Sequence, residues 1–176
     1  MKNVILIGYM GCGKSSVGVK LSYRMKKSLI DTDKEIERLQ GMSISDIFAK
    51  KGEETFRQME TEYIKGILHN QNFYVISTGG GLPLREENQK ILKQLGTVVY
   101  LRTKPETIYA RLKGDTTRPL LQCENPKEKI RKMIETRKEA YEKCADVIVD
   151  TDQLTLAEIV DRIVVNCRKT ELVKNR

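Results

Sequence analysis

The chain has 176 residues, 39% hydrophobic and 32% charged, with a formal net charge of +8. That length suits one domain with a proper core, and no run approaches the ~18 consecutive apolar residues of a membrane helix. The four cysteines (Cys12, Cys123, Cys144, Cys167) are scattered without a C-x-x-C pair and His69 is the only histidine, which excludes zinc-finger spacing, His-based triads and His-rich metal sites and suggests no disulfide framework.

In chain order, the apolar stretch NVILIG (3–8) reads as a first strand and residues 14–27 as a helix. SLIDTD (28–33) reads as a second strand, with Asp31 and Asp33 on the same side of an extended segment. Residues 34–70 are helical with breaks near Gly41 and Gly52. FYVIST (73–78) is a third strand that runs into Gly79, Gly80 and Gly81, followed by a helix over 85–94 and the strand TVVYL (97–101). Asn125-Pro126-x-Glu128 is a helix start, with Asn as the cap and Pro in the first turn, opening a helix to about Lys143. DVIVD (146–150) is a fifth strand, and Thr155-x-x-Glu158 is a capping box that opens a last helix to about Cys167. Residues 114–126, GDTTRPLLQCENP, have loop chemistry, and the chain ends in a frayed tail. Strands alternating with helices predict an α/β fold, three layers deep, with a five-stranded parallel sheet.

A basic surface attracts nucleic acid or small anions alike. Here Lys and Arg are spread among Glu and Asp and there is no Trp, so small anionic substrates are expected, and neither nucleic acid nor membrane. The N-terminal apolar run leads into the glycine loop without a cleavage pattern, so a cytoplasmic location is expected. No apolar stripe suggests an oligomer, so a monomer is expected.

Residues 8–16, GYMGCGKSS, fit G-x-x-x-x-G-K-[ST], with Gly8, Gly13, Lys14 and Ser15 in the defined places and the strand–loop–helix context that the motif requires. Inward-turned N–H groups would cradle a phosphate, Lys14 would reach the β- and γ-phosphates, and Ser15 would hold Mg²⁺. At the end of strand two, one carboxylate can organise magnesium and the other accept a hydroxyl proton, although Asp33 could equally be a helix cap. Three consecutive glycines at 79–81 exceed what a turn needs and allow a ligand to approach the backbone.

The chain resembles the shikimate kinase family over nearly its whole length. The resemblance is carried by GYMGCGKSSVG (8–18), DTD (31–33), FRQME (56–60), STGGG (77–81), TTRPLL (116–121) and Arg137 in ETRKEAY, in the family's order and spacing. It implies a P-loop kinase domain of the nucleoside-monophosphate-kinase type over residues 1–168, with an acceptor-binding region at about 32–62, a mobile lid at about 113–126 and a tail at 169–176. It implies transfer of a phosphoryl group from ATP, with Mg²⁺, to the 3-hydroxyl of shikimate, a step of aromatic amino-acid biosynthesis. Asp33, Lys14 and Arg118 would be catalytic. Gly11, Cys12, Gly13, Lys14, Ser15, Ser16, Arg111 (against adenine) and Arg118 (from the lid) would bind ATP. Asp33, Arg57, Gly79, Gly80, Gly81 and Arg137 would bind shikimate, with Glu60 orienting Arg57, and Ser15 and Asp31 would serve the metal.

Taken singly, each arginine would more commonly make an exposed ion pair. Another small-metabolite kinase such as a gluconate kinase, a nucleotide kinase, or a nucleotide-binding regulator without catalysis are the rival readings. The chain departs from the common family pattern at Tyr9, where many members have Phe, and at Cys12, where many have Ala; DTDQ (150–153) lacks a proline that some members carry, so no adenine contact is assigned in it. Cys12 is either a reactive thiol in a positive loop or an inert inward side chain.

Overall fold

The computed structural model describes residues 2–113 and 124–174. Strands β1 (Asn3–Ile7), β2 (Ser28–Asp31), β3 (Tyr74–Ser77), β4 (Gly96–Arg102) and β5 (Val147–Asp150) form one parallel sheet in the order β2-β3-β1-β4-β5. The helices are α1 (Lys14–Met25), α2 (Thr32–Gln40), α3 (Ile44–Leu68), α4 (Glu86–Leu95), α5 (Pro105–Leu112), α6 (Pro126–Cys144) and α7 (Leu156–Lys174). Helix α1 packs on α7, and α4 packs on both α3 and α6, so helices flank the sheet as the α/β pattern predicts. Among the described residues no helix is long and apolar enough to cross a membrane.

The central strand β1 is buried at every position, and Ile5 lies between Ile76 of β3 and Val98 of β4. The edge strand β5 instead alternates, with Val147 and Val149 inward and Ile148 outward, because only one of its faces is covered. A smaller core of Ile36, Ile47 and Phe56 holds α2 against α3. The breaks expected at Gly41 and Gly52 are both present: Gly41 ends α2 with φ 62°, and Gly52 kinks α3 with φ 82°.

Three expectations need correction. The second strand stops at Asp31 and the chain turns helical at Thr32, so Asp31 and Asp33 do not share an extended segment. Asp31 is itself the helix cap, its carboxylate accepting from the Asp33 and Lys34 N–H groups at 3.2 and 3.3 Å. Helix α5 was not expected; it starts on Pro105, and the Asp152 carboxylate accepts from Lys104 N–H at 3.1 Å and from the Thr107 hydroxyl at 2.6 Å. These two bonds come from 48 and 45 residues away, which no local signal shows. Finally, α7 runs on to Lys174 rather than ending near Cys167, since RKTELVK contains neither Gly nor Pro to stop it. Of the expected lid, Lys113 follows α5 and Pro126 opens α6. Arg118 and Cys123 lie outside the described residues.

Candidate active site

The phosphate loop connects the end of β1 to α1. Gly11 and Gly13 have φ of 77° and 101°, a region that side-chain-bearing residues rarely adopt. Helix α1 begins at Lys14 with no side-chain cap and no acidic residue in its first turn, so its leading N–H groups and positive end are available to an anion. The Lys14 ammonium folds back over the loop, donating to the carbonyls of Gly8 at 2.7 Å and Tyr9 at 3.1 Å.

A cavity of about 550 Å³ opens above this loop. Gly11, Cys12, Gly13, Lys14, Ser15, Ser16, Asp31, Asp33, Gly80 and Arg111 all line it. Arg111 donates to the Gly11 carbonyl at 3.1 Å, next to an apolar wall of Leu112, Leu154, Leu156 and Ile159. That wall escaped sequence reading, because it joins α5 to the segment after β5. Of the two readings of Cys12, the structure has the inward one: its side chain is 2% exposed and belongs to the main core. Iodoacetamide is therefore expected to label Cys12 much more slowly in the folded protein than in a denatured control, with peptide mapping to locate the label. Equal rates would contradict this burial.

At the other end, Gly79 and Gly81 make room for functional side chains, and Gly80 lies against the backbone of the phosphate loop. A β-carbon on Gly79 would overlap the Asp33 carboxylate and come within 2.8 Å of Glu60 Oε1. One on Gly81 would overlap the Arg57 guanidinium, and one on Gly80 would approach Arg137 Nη1 at 3.9 Å. The N–H of Gly79 is already engaged, donating to the buried Thr32 hydroxyl at 3.0 Å, so a substrate bond to that group is not supported.

Arg57 is paired with Glu60 at 2.8 Å and with Glu53 at 3.0 Å, and it lies near the rings of Phe56 and Phe48. The expected Glu60 partnership is thus present. Arg137, on α6, lies over the ring of Tyr9, 5.5 Å from its centroid. Sequence reading treated Tyr9 as packing; the structure makes it a cation–π platform. The structure therefore brings together all the site residues expected from the sequence except Arg118, which lies outside the described residues.

Burial pushes the Asp33 carboxyl up to about 6, with Asp31 adding to the effect and Lys14 and then Arg57 opposing it. Burial likewise raises Glu60 to about 7, against the pull of its bond to Arg57. Asp33 Oδ1 and Glu60 Oε1 are buried without a hydrogen-bond partner. Both adjoin the same point above Gly79. Buried acceptors normally find donors; of these two residues Asp33 is the one that also lines the cavity, where it can meet a molecule that brings hydroxyl groups. A carboxyl with a pKa near neutrality is also suited to accept a proton during reaction.

An open phosphate cradle facing a tuned carboxylate across the carboxyl ends of β1, β2 and β3 defines a P-loop phosphotransferase acting on a small molecule. A solved gluconokinase from Sinorhizobium meliloti, 16% identical with a TM-score of 0.62 over 96% of this chain and 93% of its own, shares the fold alone. The structure of shikimate kinase from Acinetobacter baumannii in complex with shikimate is much nearer: 35% identity and a TM-score of 0.87, covering 100% of this chain and 95% of that one. A shikimate kinase from Thermodesulfovibrio yellowstonii is 46% identical over 164 residues, 93% of this chain and 94% of its own. The family model described as shikimate kinase matches residues 10–168. The chain belongs to the shikimate kinase family.

Proposed function

We propose that this enzyme transfers the γ-phosphoryl group of ATP to the 3-hydroxyl of shikimate, with Asp33 as the base that orients and deprotonates that hydroxyl. The observation that carries the residue assignment is the Asp33 carboxylate in the cavity wall, with the Arg57 guanidinium against the same glycine run. A ring carrying three hydroxyls and one carboxylate complements both features. Arg57 and Arg137 grip the carboxylate, since guanidinium forks pair with it bidentately. Lys14 and the α1 N–H groups hold the phosphates, and Arg111 with its neighbouring apolar wall receives the base. The family resemblance assigns the transferring phosphoryl group to Arg118, which lies outside the described residues.

The donor set fits magnesium. Ser15 and Asp31 line one cavity, and Mg²⁺ commonly takes one or two carboxylates and fills its shell with phosphates and water. When bound there it would neutralise charge on the β- and γ-oxygens. The remaining work falls to the chain: fixing the acceptor, holding its proton on Asp33 and excluding water. The enzyme acts as a cytoplasmic monomer.

A coupled ADP-release assay with shikimate, gluconate and AMP in parallel tests the reading. Shikimate alone should support turnover, and turnover with either of the others instead would reject it. Arg57→Lys keeps the charge but loses the fork, so the KM for shikimate is expected to rise by about tenfold or more, given ~1.5–3 kcal/mol for a hydrogen bond to a charged group. The KM for ATP should barely move, and equal effects on both substrates would contradict the role given to Arg57.

A further inference from the structure

We propose that Tyr141 is a positioning residue of the acceptor pocket, holding glycine run 79–81 and Arg137 in the arrangement that grips the acceptor carboxylate. This rests on the substrate reading above. Tyr141 lies one helical turn after Arg137 on α6 and is fully buried. Its ring packs 5.1 Å from that of Tyr100, and its hydroxyl donates to the Gly80 carbonyl at 2.7 Å. A buried phenol needs such a partner, but the choice of partner matters here. Glycines have little intrinsic preference for one backbone conformation. A trans peptide is planar, so fixing the Gly80 C=O towards Tyr141 also holds the Gly81 N–H pointing away from it.

The same hydroxyl adjoins the Arg137 guanidinium, which acts against the upward push of burial on the phenol. Arg137 in turn lies close to the space above Gly80. The Tyr141 hydroxyl thus holds the glycine run directly, next to the arginine one turn earlier on the same helix. On the far side of the run, Thr32 secures the Gly79 N–H. The two clamps come from α2 and α6, so the run is pinned from both flanks.

Tyr141→Phe keeps the buried ring and removes only the hydroxyl. The expected result is a KM for shikimate raised by about fivefold to tenfold, the scale of one ordinary hydrogen bond, with the KM for ATP unchanged. In an Arg137→Lys background the same change should cost less, since the two residues act as a unit. Thermal melting is recorded alongside, and if the variant melts below the assay temperature the comparison is made in the cold. A purely structural tyrosine would lower the melting temperature, leaving both KM values unchanged or moving them together. Either pattern, or full additivity with Arg137→Lys, overturns the assignment to Tyr141 while leaving the substrate reading intact. A parent enzyme that does not turn over shikimate overturns the substrate reading and this proposal with it.

Discussion

Replacing Asp33 by Asn is expected to lower kcat by about 10²–10⁴-fold, the range for loss of a general base, while the KM for ATP stays close to that of the parent. The expectation follows from position and environment together. Asp33 lies in the first turn of α2, over Gly79, with its Oδ1 buried and unpartnered. Its carboxyl, pushed up by burial and by Asp31 to about 6, is ionised at neutral pH yet basic enough to take a proton. In the parent, kcat/KM for shikimate should therefore fall as the pH drops through about 6.

The same variant makes an opposite prediction for stability. The folded pKa lies above the ordinary value of 3.8, so between the two the folded state holds a proton that the unfolded chain has released. Raising the pH through this window removes stability from the parent, and the loss is complete above the folded pKa. Asparagine carries no such penalty. Asp33→Asn should be more stable than the parent by about 1–3 kcal/mol at neutral pH, and the gain should vanish as the pH falls towards 4. Urea titrations at the two pH values measure it. A variant with near-parental kcat would take Asp33 out of the chemistry, and one no more stable at neutral pH would show that the carboxylate is not strained by burial.

Gly79→Ala is the second change with a large expected effect. Its β-carbon has no room, because the Asp33 carboxylate and Glu60 Oε1 occupy the space. Both carboxylates must shift, and Glu60 cannot move without disturbing Arg57, its partner at 2.8 Å. Overpacking of this kind costs about 1–3 kcal/mol, so kcat/KM for shikimate should fall roughly tenfold to a hundredfold. The three atoms nearest that β-carbon belong to Asp33 and Glu60 and none to the phosphate loop, so the KM for ATP should change little. Gly66, where a β-carbon meets nothing within 4 Å, is the control: Gly66→Ala should behave as the parent. If Gly79→Ala retains full activity, the glycine run serves only as a turn.

Some elements of this protein are legible because their signals are short-range. The phosphate loop is a spacing of four residue types in one strand-to-helix connection, and backbone sterics dictate it locally. The capping box at Thr155 is realised, with Glu158 accepting from Thr155 N–H at 2.7 Å and the Thr155 hydroxyl accepting from Glu158 N–H at 3.3 Å. Asn125 likewise caps α6, accepting from Glu128 N–H at 3.2 Å. The alternation of buried strands with helices is enough to predict the parallel sheet. The roles given to Arg57, Arg111 and Arg137 came from family resemblance, since a lone arginine has no local signature of what it binds.

What only the tertiary structure decided is which side chains share a space. DTD reads equally well as the end of a strand or the start of a helix, and the Asp31 cap decides between them. Cys12 could face the ligand or the core, and packing against the sheet turns it inward. The pairing of Tyr141 with Gly80 spans 61 residues, and Arg137 meets Tyr9 across a longer interval still. These contacts depend on the strand order β2-β3-β1-β4-β5, which brings the ends of β1 and β3 side by side. Residue spacing reports on neighbours within a turn or a strand; it carries no information about strand order, so the amino-acid pattern determined the phosphate cradle while the sheet topology built the acceptor pocket.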